Sequence, residues 1–543
     1  MKRFFGVCLT AGLAAHAAPI SGVPAANIKA DGFAPASQLT REWRQHPVAV
    51  GAMPLENPDG IVGWYGYQND SPSTGNPAVP QMMGKILPTT PPTPYETLKT
   101  EPDKNTYLVL WGQKGADPHY NYGPHFLFQG HELGSNGASY ITRINLDADT
   151  AHRVTLMATH DVTGAPIAPI DGSTWDPFSQ RLLFTTENAG APTYAATLSV
   201  PSQVEDVSGA LGRGGYEGIQ NDNYGNIWIV EDIGGDVKLD STGAKTTAKR
   251  PNSFIYRYVP NRPGDLHHGK LQVLQVIVGD HPATFESQAA LNNPDQLAIR
   301  TYGVSHRTRW VTIHDTAVDG NSPFNANDHA KARGGTPFKR PENGVFRPGT
   351  HFREFFFDET GDTTIASPEN GTAGGWCSIF RLQQHSADAD EGRITLFFQS
   401  KSATVAGLDN VTFLSEDKLI AVEDAGDGLH SSRNALDSGF IFDVDKDYSG
   451  GALPIRFLAE GRDISAALDS ANGGFGKNEG DNEITGIHVS DGDPSVNGIL
   501  GAKVPRFGHD GWRLFWTQQH GDNVTWEVTR AKHGDNDVDR DEW

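Results

Sequence analysis

Acidic residues in this chain recur at one position of a repeated pattern, where several of them could act together on a cation. The pattern is a short apolar run that ends in an acid and is followed three residues later by glycine. Clear copies lie at residues 183–190, 227–234 and 419–426, and their acids are Glu187, Glu231 with its neighbour Asp232, and Glu423. Weaker copies at 126–134, 310–315 and 513–521 end in His131-Glu132, His314-Asp315 and Gln519-His520.

A second pattern precedes the first, and consists of an acid followed within a few residues by an apolar run. Its six acids are Asp171, Glu217, Asp295, Glu342, Asp409 and Glu483. One interpretation is that these acids are turn residues, since aspartate favours turns. Three of the six are glutamate, which is not a favoured turn residue, so we prefer a common functional role.

Many short strands separated by Gly, Asp and Asn must position these acids. Residues 107–111, 227–230 and 419–422 are examples of such runs, and long helical patterns are scarce apart from one at 464–471. Repeats of this kind predict an all-β fold, and we expect a six-bladed β-propeller in which the innermost strand of each blade lines the central channel. An acid at the start of every inner strand would then point into one mouth of that channel. Crowded carboxylates repel one another, and bound cations remove that cost.

The donor types of this predicted ring indicate which cation it would bind. Carboxylate oxygens suit calcium, magnesium or manganese. His131, His314 and His520 do not form a zinc-binding spacing. The Asp-rich segment at 443–454 starts like a calcium loop, but its glycine comes late and Pro454 stands where glutamate is needed, so we interpret it as a surface loop.

Arg340 stands next to a ring acid in the segment Lys339-Arg340-Pro341-Glu342. An arginine beside a cation cluster is poorly placed unless an anion lies between them, and a phosphate gripped bidentately by the guanidinium would be such an anion. The alternative is an ion pair with a neighbouring ring carboxylate. The chain contains no Gly-x-Ser-x-Gly elbow and no Gly-Lys-Ser/Thr phosphate loop, so nothing predicts a serine nucleophile.

The N-terminus and the overall charge bear on location and partners. Lys2 and Arg3 precede an apolar stretch and a small-x-small site ending at Ala17, which predicts a signal peptide at 1–17 and export to the periplasm or exterior. Cleavage would remove Cys8 and leave Cys377 without a disulfide partner. The net charge of -22, from 66 acidic and 44 basic residues, argues against nucleic acid as a partner. No other stretch is long and apolar enough to span a membrane.

Two further segments complete the predicted organisation. Residues 18–110 are rich in Pro, Gly and Ala with a proline cluster at 88–94, and we interpret them as an irregular N-terminal extension. Residues 111–543 would form the propeller.

Several short motifs, in this order, resemble those of the PhoX-type alkaline phosphatases from about residue 125 onward. They are Gly130-His131-Glu132, Thr186-Glu187-Asn188, Leu211-Gly212-Arg213 with Glu217-Gly218, the strand at 254–258, Phe338-Lys339-Arg340-Pro341-Glu342, Leu408-Asp409-Asn410, Glu483-Ile484-Thr485-Gly486 and Gln519-His520-Gly521. The resemblance implies a six-bladed propeller with a calcium and iron cluster at its mouth, and hydrolysis of small phosphorylated substrates. It implies that Glu217 and Glu342 bind metal and that Arg340 grips the phosphate.

The chain also departs from that family pattern. An iron-binding cysteine is expected shortly before Trp175, where this chain has Asp171-Gly172-Ser173. Replacement of a thiolate by the harder carboxylate of Asp171 favours an all-calcium site over one with iron. The full set of predicted metal ligands is Glu217, Glu342, Glu187, Glu132, Asp409, Glu483, Glu423, Asp232 and Asp171.

Two other functions are compatible with the same acids. Calcium-dependent propeller lactonases use acids and Asn at a propeller mouth, for which Asp409 and Asn410 would suit, although a neutral lactone does not need Arg340. A non-catalytic calcium-binding propeller is the second alternative, and the missing cysteine favours it.

Overall fold

The computed structural model describes twelve segments of the chain. They are residues 20–24, 37–51, 53–56, 64–66, 100–132, 138–237, 241–242, 249–286, 293–361, 373–461, 483–519 and 523–531. The predicted signal peptide, the predicted helix at 464–471 and His520 lie outside these segments.

Most of the regular secondary structure among the described residues is antiparallel strand, so the all-β prediction is confirmed. Three short strands come first: β1 (Gln38–Leu39), β2 (Trp43–Ala49) and β3 (Leu55–Glu56). The next two four-stranded units are β4 (Pro102–Val109), β5 (His125–His131), β6 (Ile141–Asn145) and β7 (Val154–Ala158), then β8 (Ser173–Asp176), β9 (Arg181–Phe184), β10 (Tyr194–Ala196) and β11 (Val204–Asp206).

The middle of the chain forms two more units. They are β12 (Tyr216–Asn221), β13 (Ile227–Glu231), β14 (Ile255–Pro260) and β15 (Gly269–Val278), followed, after the short β16 (His281–Pro282) and the long β17 (Ser305–Asp315), by β18 (Gly344–Phe346), β19 (Glu354–Glu359), β20 (Ser378–Gln384) and β21 (Glu391–Gln399). Strand β17 pairs with both β15 and β21, so it joins the outer edges of these two units into one sheet.

The C-terminal third forms the last two units. They are β22 (Leu408–Phe413), β23 (Lys418–Glu423), β24 (Ser438–Asp443) and β25 (Ile455–Ala459), then β26 (Glu483–Ser490), β27 (Arg513–Gln519) and β28 (Val524–Arg530). The described helices are short: α1 (Ser208–Leu211), α2 (Pro294–Ile299), α3 (Thr316–Asp319), α4 (Ala326–Ala332) and α5 (Gly426–Arg433), with 3-10 turns at Thr150–His152 and Val496–Gly498. None of the described helices is long and apolar enough to cross a bilayer.

The first strands of the six units form a closed ring. Strand β4 contacts β8, β8 contacts β12, β12 contacts β18, β18 contacts β22, β22 contacts β26, and β26 contacts β4 again. The units are therefore the blades of a β-propeller, with their first strands around the central channel. Aromatic and branched side chains fill the space between blades, as where Trp228 of the third blade packs edge-on against Phe346 of the fourth.

Two described strands within residues 18–110 belong to the propeller, which corrects the predicted boundary at residue 110, whereas the proline cluster at 88–94 lies outside the described residues. Strand β2 pairs with β28 and is the outermost strand of the sixth blade, and β4 is the inner strand of the first. The sequence of β4, Pro-Asp-Lys-Asn-Thr-Tyr-Leu-Val, does not predict an inner strand because it carries polar residues at positions that the fold buries. Contacts with strands that are distant in sequence provide hydrogen-bond partners for the buried polar residues of β4. In β2, Trp-Arg-Gln-His-Pro-Val-Ala, the buried residues are the apolar Trp43, Val48 and Ala49.

Two of the repeat assignments are also wrong. Asp295 lies in the first turn of α2, where Asn293 caps the helix and Pro294 stands at its start, so the acid precedes a helix and not an inner strand. The copy at 310–315 lies in β17, which is outside the four-stranded pattern of the blades. A capped helix start and a strand start share the same pattern of an acid before apolar residues.

Candidate metal centre

Each inner strand places one acid at the same mouth of the channel. Five of these acids were predicted. The sixth is Asp103 on β4 of the first blade, and the predicted Asp295 is not a member of the ring. The acids are Asp103, Asp171, Glu217, Glu342, Asp409 and Glu483, each within its inner strand or two residues before it. In three of the six strands the register shifts at the acid itself, which is Asp103, Glu217 or Asp409, and in β26 it shifts after Thr485, two residues beyond Glu483. Such bulges re-aim side chains, and here they occur where each strand reaches the mouth.

Glycines beside two of the acids allow neighbouring inner strands to approach. A Cβ atom on Gly172 would lie 2.1 Å from the carbonyl oxygen of Glu217, and one on Gly218 would lie 2.7 Å from Oδ1 of Asn343. Neither contact leaves room for a side chain. The glycine that follows Asp171 and the one that follows Glu217 are therefore needed for the ring of acids to close.

A second set of acids comes from the ends of the second strands. Glu132 follows β5, Glu187 follows β9, Asp232 follows β13 and Asp424 follows β23. Asp424 was not predicted. Its electrostatic partners include Glu483 and Asp409, which places it at the mouth.

Glu423 does not reach the mouth, which corrects its prediction as a metal ligand. Its carboxylate accepts a hydrogen bond from the backbone N–H of Ala406 at 2.8 Å and pairs with Arg433 at 3.1 Å, inside the fifth blade. Successive side chains of a strand point to opposite sides, so only one residue of the pair Glu423 and Asp424 can face the channel. Glu231 behaves in the same way beside Asp232, since its carboxylate accepts hydrogen bonds from Phe254 N–H, Tyr256 OH and Asn327.

Three groups of carboxylates each bring one oxygen per residue to within 4.8 Å of the others. They are Asp103, Glu132 and Asp171; Glu187, Glu217 and Asp232; and Glu217, Glu342 and Asp409. Glu217 belongs to two of the groups and therefore lies at the centre of the arrangement. Seven of the nine residues predicted as ligands belong to these groups, and an eighth, Glu483, lies near Asp424.

Burial and mutual repulsion raise the pKa values of these acids. The pKa of Glu217 is raised well above its usual range, first by burial and then by Asp171 and Glu342. Burial and Asp171 raise the pKa of Asp409 to about 8. Glu187 lies at the more open rim. Its pKa is raised to about 7, first by burial and then by the charges of Asp171 and Asp232. A cation bound among these oxygens would remove the penalty on their charged forms.

Arg340 lies directly against one acid of each set, the strand-end acid Asp232 and the inner-strand acid Glu342. Its Nε is 2.8 and 2.7 Å from the two carboxylate oxygens of Asp232, and its Nη2 is 3.5 Å from Oε1 of Glu342. The backbone of Arg340 has a φ of 54°, a left-handed conformation that is unfavourable for a residue with a side chain. The pairing with ring carboxylates is the alternative that the sequence left open, and it holds the guanidinium at the mouth.

Lys104 is the other cation at the carboxylates. It follows Asp103 on β4, and its Nζ donates a hydrogen bond to Oδ1 of Asn343. Burial lowers the pKa of Lys104, while Asp409, Asp103 and Asp171 act in the opposite direction. Sequence analysis missed this residue because it lies in the segment interpreted as an irregular extension.

Imidazole and thiol ligands do not reach the mouth among the described residues. His131 is buried with its two ring nitrogens 3.0 Å from hydroxyls of Thr100 and Thr142. His314 stacks on Phe324 at the outer strand β17. The thiol of Cys377 is buried beside the carbonyl of Val405 in the apolar core shared by the fourth and fifth blades.

The donor set at the mouth is therefore made of oxygens. Oδ1 of Asp103 and Oδ1 of Asn410 are buried and have no hydrogen-bond donor among the described residues. Unsatisfied buried oxygens are rare in folded proteins unless water or an ion binds them. The residues present thus fit a hard, oxygen-binding divalent cation such as calcium.

Comparisons with known proteins agree with this architecture. The family described as alkaline phosphatase PhoX matches residues 237–496, a segment that contains Arg340, Glu342, Asp409 and Asp424. A solved structure of Pseudomonas fluorescens PhoX in complex with vanadate, a transition-state analogue, is 11% identical, with a TM-score of 0.50 over 94% of this chain and 98% of that chain. The resemblance predicted from the motifs is confirmed.

Other solved structures are less similar. A fungal alcohol oxidase of the AA5 family, in complex with copper, is 10% identical with a TM-score of 0.32 over 79% of this chain and 76% of that one. The WD40 domain of Toxoplasma gondii coronin is 8% identical, also with a TM-score of 0.32, over 95% and 90% of the two chains. No curated protein matches the sequence.

Proposed function

From this resemblance to the PhoX alkaline phosphatases, we propose that the chain is an exported, calcium-dependent phosphomonoesterase that acts on small phosphorylated substrates. The observation that carries the proposal is the position of Arg340, which contacts Asp232 and Glu342, one acid in each of the two carboxylate groups that share Glu217, at one mouth of the propeller. Carboxylates collect cations, and an arginine among cations is favourable only when an anion is present to bind both.

Calcium is the cation that the donor set supports best. The groups offer carboxylate oxygens at nearly adjacent positions, with Glu217 able to bridge two of them. Bound cations would supply neutralisation of the charge on the transferring phosphoryl group. The resemblance also implies iron, but Asp171 stands near the position of the family cysteine, so the chain offers no thiolate there.

Arg340 shares its two carboxylate partners with the proposed cation groups. Asp232 belongs to the group with Glu187 and Glu217, and Glu342 to the group with Glu217 and Asp409. Cations held by those carboxylates would neutralise them, and the carboxylates would then hold the guanidinium less strongly. Its N–H groups can then donate to the non-bridging oxygens of a phosphate, which are the positions where charge must be stabilised.

Export remains part of the proposal. The order of basic, apolar and small residues at 1–17 supports it. An exported phosphatase would release phosphate from phosphorylated compounds outside the cytoplasm. N-terminal sequencing of the secreted chain tests this point, with Ala18 expected as the first residue.

The activity is tested with a chromogenic phosphate monoester. We expect phosphate release in calcium, loss of release on chelation and recovery when calcium is restored. Arg340→Ala should lower kcat/KM by about 100- to 1000-fold. Arg347→Ala is the matched control, since Arg347 pairs with Glu354 away from the mouth and its loss should leave turnover unchanged.

Two results would contradict the proposal. One is phosphate release that does not respond to chelation. The other is hydrolysis of lactones with no phosphate release, which would identify the mouth as a lactonase site. Calcium retention without turnover of either class of substrate would instead indicate a binding protein.

A further inference from the structure

Lys104 crosses the central channel from one side of the propeller to the other. It lies on the inner strand of the first blade, and its Nζ donates to Asn343, immediately before the inner strand of the fourth blade. In a closed ring of six inner strands, the first and fourth are opposite. The side chain is 2% exposed, so the ammonium is held inside the molecule.

The two sides of this crossing differ in charge. Toward the mouth, the ammonium interacts electrostatically with Asp409, Asp103 and Asp171. Away from the mouth lies a cavity of about 40 Å³, lined by apolar residues, by neutral polar residues such as Ser173 and Gln220, and by one acid, Asp493, which is paired with Lys503. The crossing is therefore the inner boundary of the carboxylate chamber.

Asn343 is held so that its carbonyl oxygen faces the lysine. Its backbone N–H donates to Oδ1 of Asp358 at 2.8 Å, and its amide nitrogen lies 3.5 Å from Oδ1 of Asp409. Gly218 leaves the space that the Asn343 side chain occupies, since a Cβ on Gly218 would lie 2.7 Å from Oδ1 of Asn343. Three inner-strand regions thus cooperate to fix the ammonium at one point.

The charges of Lys104 and Arg340 act on different carboxylates. Lys104 acts on Asp171, Asp358 and Asp409, whereas Arg340 acts on Glu187 and Glu342. Arg340 is 21% exposed at the mouth and can exchange its partners, but Lys104 is enclosed. Only the lysine is a permanent member of the chamber.

We propose that the Lys104 ammonium occupies a cation position of the carboxylate chamber and thereby limits how many divalent cations the mouth binds. The Lys104 ammonium is covalently attached and lies at the end of the chamber that faces the channel. Divalent cations would therefore bind at the end of the chamber that is open to solvent, where Arg340 lies. Removing it would leave buried carboxylates without a counter-charge, and a divalent cation could then enter that position. The inference rests on the proposed function only in requiring that divalent cations bind at the mouth.

The test is a count of calcium ions in purified full-length protein by elemental analysis. Lys104→Met has a similar length but no charge, and should bind about one calcium more per chain than the wild type. Lys104→Arg retains the charge and should keep the wild-type count. Arg143→Met is the matched control, because Arg143 is also a fully buried cation but lies on β6 against Tyr122 and Phe126.

Thermal unfolding gives a second measurement that does not depend on activity. The melting temperature of Lys104→Met should rise more steeply with calcium concentration than that of the wild type, because more ions bind to the folded chain. Lys104→Gln removes the charge but keeps an amide donor for Asn343, and it should behave like Lys104→Met. If the lysine only ties two blades together, Lys104→Gln will instead keep the wild-type calcium response.

An unchanged calcium count in both charge-removing variants overturns the inference. So does failure of both to fold at any calcium concentration while Lys104→Arg folds, since the position would then accept no divalent cation. These results are separate from the proposed function. Extra calcium without phosphatase activity would support the inference alone, and phosphatase activity with an unchanged calcium count would support the proposed function alone.

Discussion

Two groups of buried acids in this protein differ in how their charge is balanced. In the fifth blade, Glu423 and Asp437 are fully buried, and Arg433 lies 3.1 Å from one and 2.7 Å from the other. His430 lies 2.7 Å from Asp437 as well. At the mouth, the inner-strand acids and the acids at the strand ends outnumber the cations seen to act on them among the described residues, Arg340 and Lys104.

The difference separates a structural cluster from a candidate site. A buried acid with its own arginine is already compensated, as Glu359 also is by its two short contacts to Arg300 at 2.6 and 2.7 Å. Acids in excess of the chain's own cations remain costly until something binds them. The ratio of acids to built-in cations, and not the number of buried acids, therefore makes the mouth the candidate metal site.

The largest expected effect comes from the acid shared by two carboxylate groups. Glu217→Gln should lower phosphate release by about 1000-fold, because two groups lose an oxygen with negative charge at once. Calcium content, measured on the same sample, should fall as well. Glu423→Gln is the matched control with unchanged calcium content, and full activity in Glu217→Gln would show that the mouth is not the site.

In the fifth blade, removal of the built-in cation should act on stability instead. Arg433→Met leaves Glu423 and Asp437 buried without their partner, and should lower the free energy of unfolding by about 3–5 kcal/mol. Denaturant unfolding at several calcium concentrations measures this, and calcium should not restore the loss. Recovery in calcium would mean that the fifth-blade cluster can also bind metal and that the two regions do not differ in kind.

Metal-free protein should lose stability as pH rises from about 5 to 8. The pKa of Asp409 is raised to about 8, so its carboxyl keeps a proton in the folded chain at pH values where the unfolded chain has lost it. Folding then takes up protons, and stability falls as pH approaches the folded-state pKa. The melting temperature in chelator should fall over this range and change less in calcium. A melting temperature in chelator that is constant or rises with pH would contradict the expectation.

The smallest effect distinguishes two adjacent residues. Asp424→Asn removes a mouth acid whose pKa is raised by burial and by Glu483, so it should stabilise the metal-free protein by about 1 kcal/mol and weaken calcium binding. Glu423→Gln should weaken stability and leave calcium affinity unchanged. Calorimetric titration with calcium measures both variants, and an equal loss of affinity in the two would mean that strand alternation does not separate their roles.

Sequence analysis identified most of the mouth because its acids follow a repeat that local sequence can show. Asp171, Glu217, Glu342, Asp409 and Glu483 were predicted from the runs that follow them, and Arg340 from its neighbour Glu342. Asp103 was missed because β4 begins in a polar segment with no alternating pattern. Of the consecutive acids Glu423 and Asp424, the sequence pattern predicted the first as a ligand. Only the strand orientation in the folded chain shows that the second one faces the channel.

The amino-acid sequence by itself determined the kind of chemistry: repeated carboxylates, one arginine beside them and no cysteine at the family position, which together favour a hard cation and an anionic substrate. Tertiary structure alone decided which acids meet. Pairing of β4 with β5 brings Asp103 beside Glu132, and contact of β4 with β8 brings it beside Asp171. Closure of the ring places Lys104 across the channel from Asn343, 239 residues away in sequence. Such contacts depend on strand register and on the closing pair of β2 with β28, both of which are set by non-local pairing that no short segment contains.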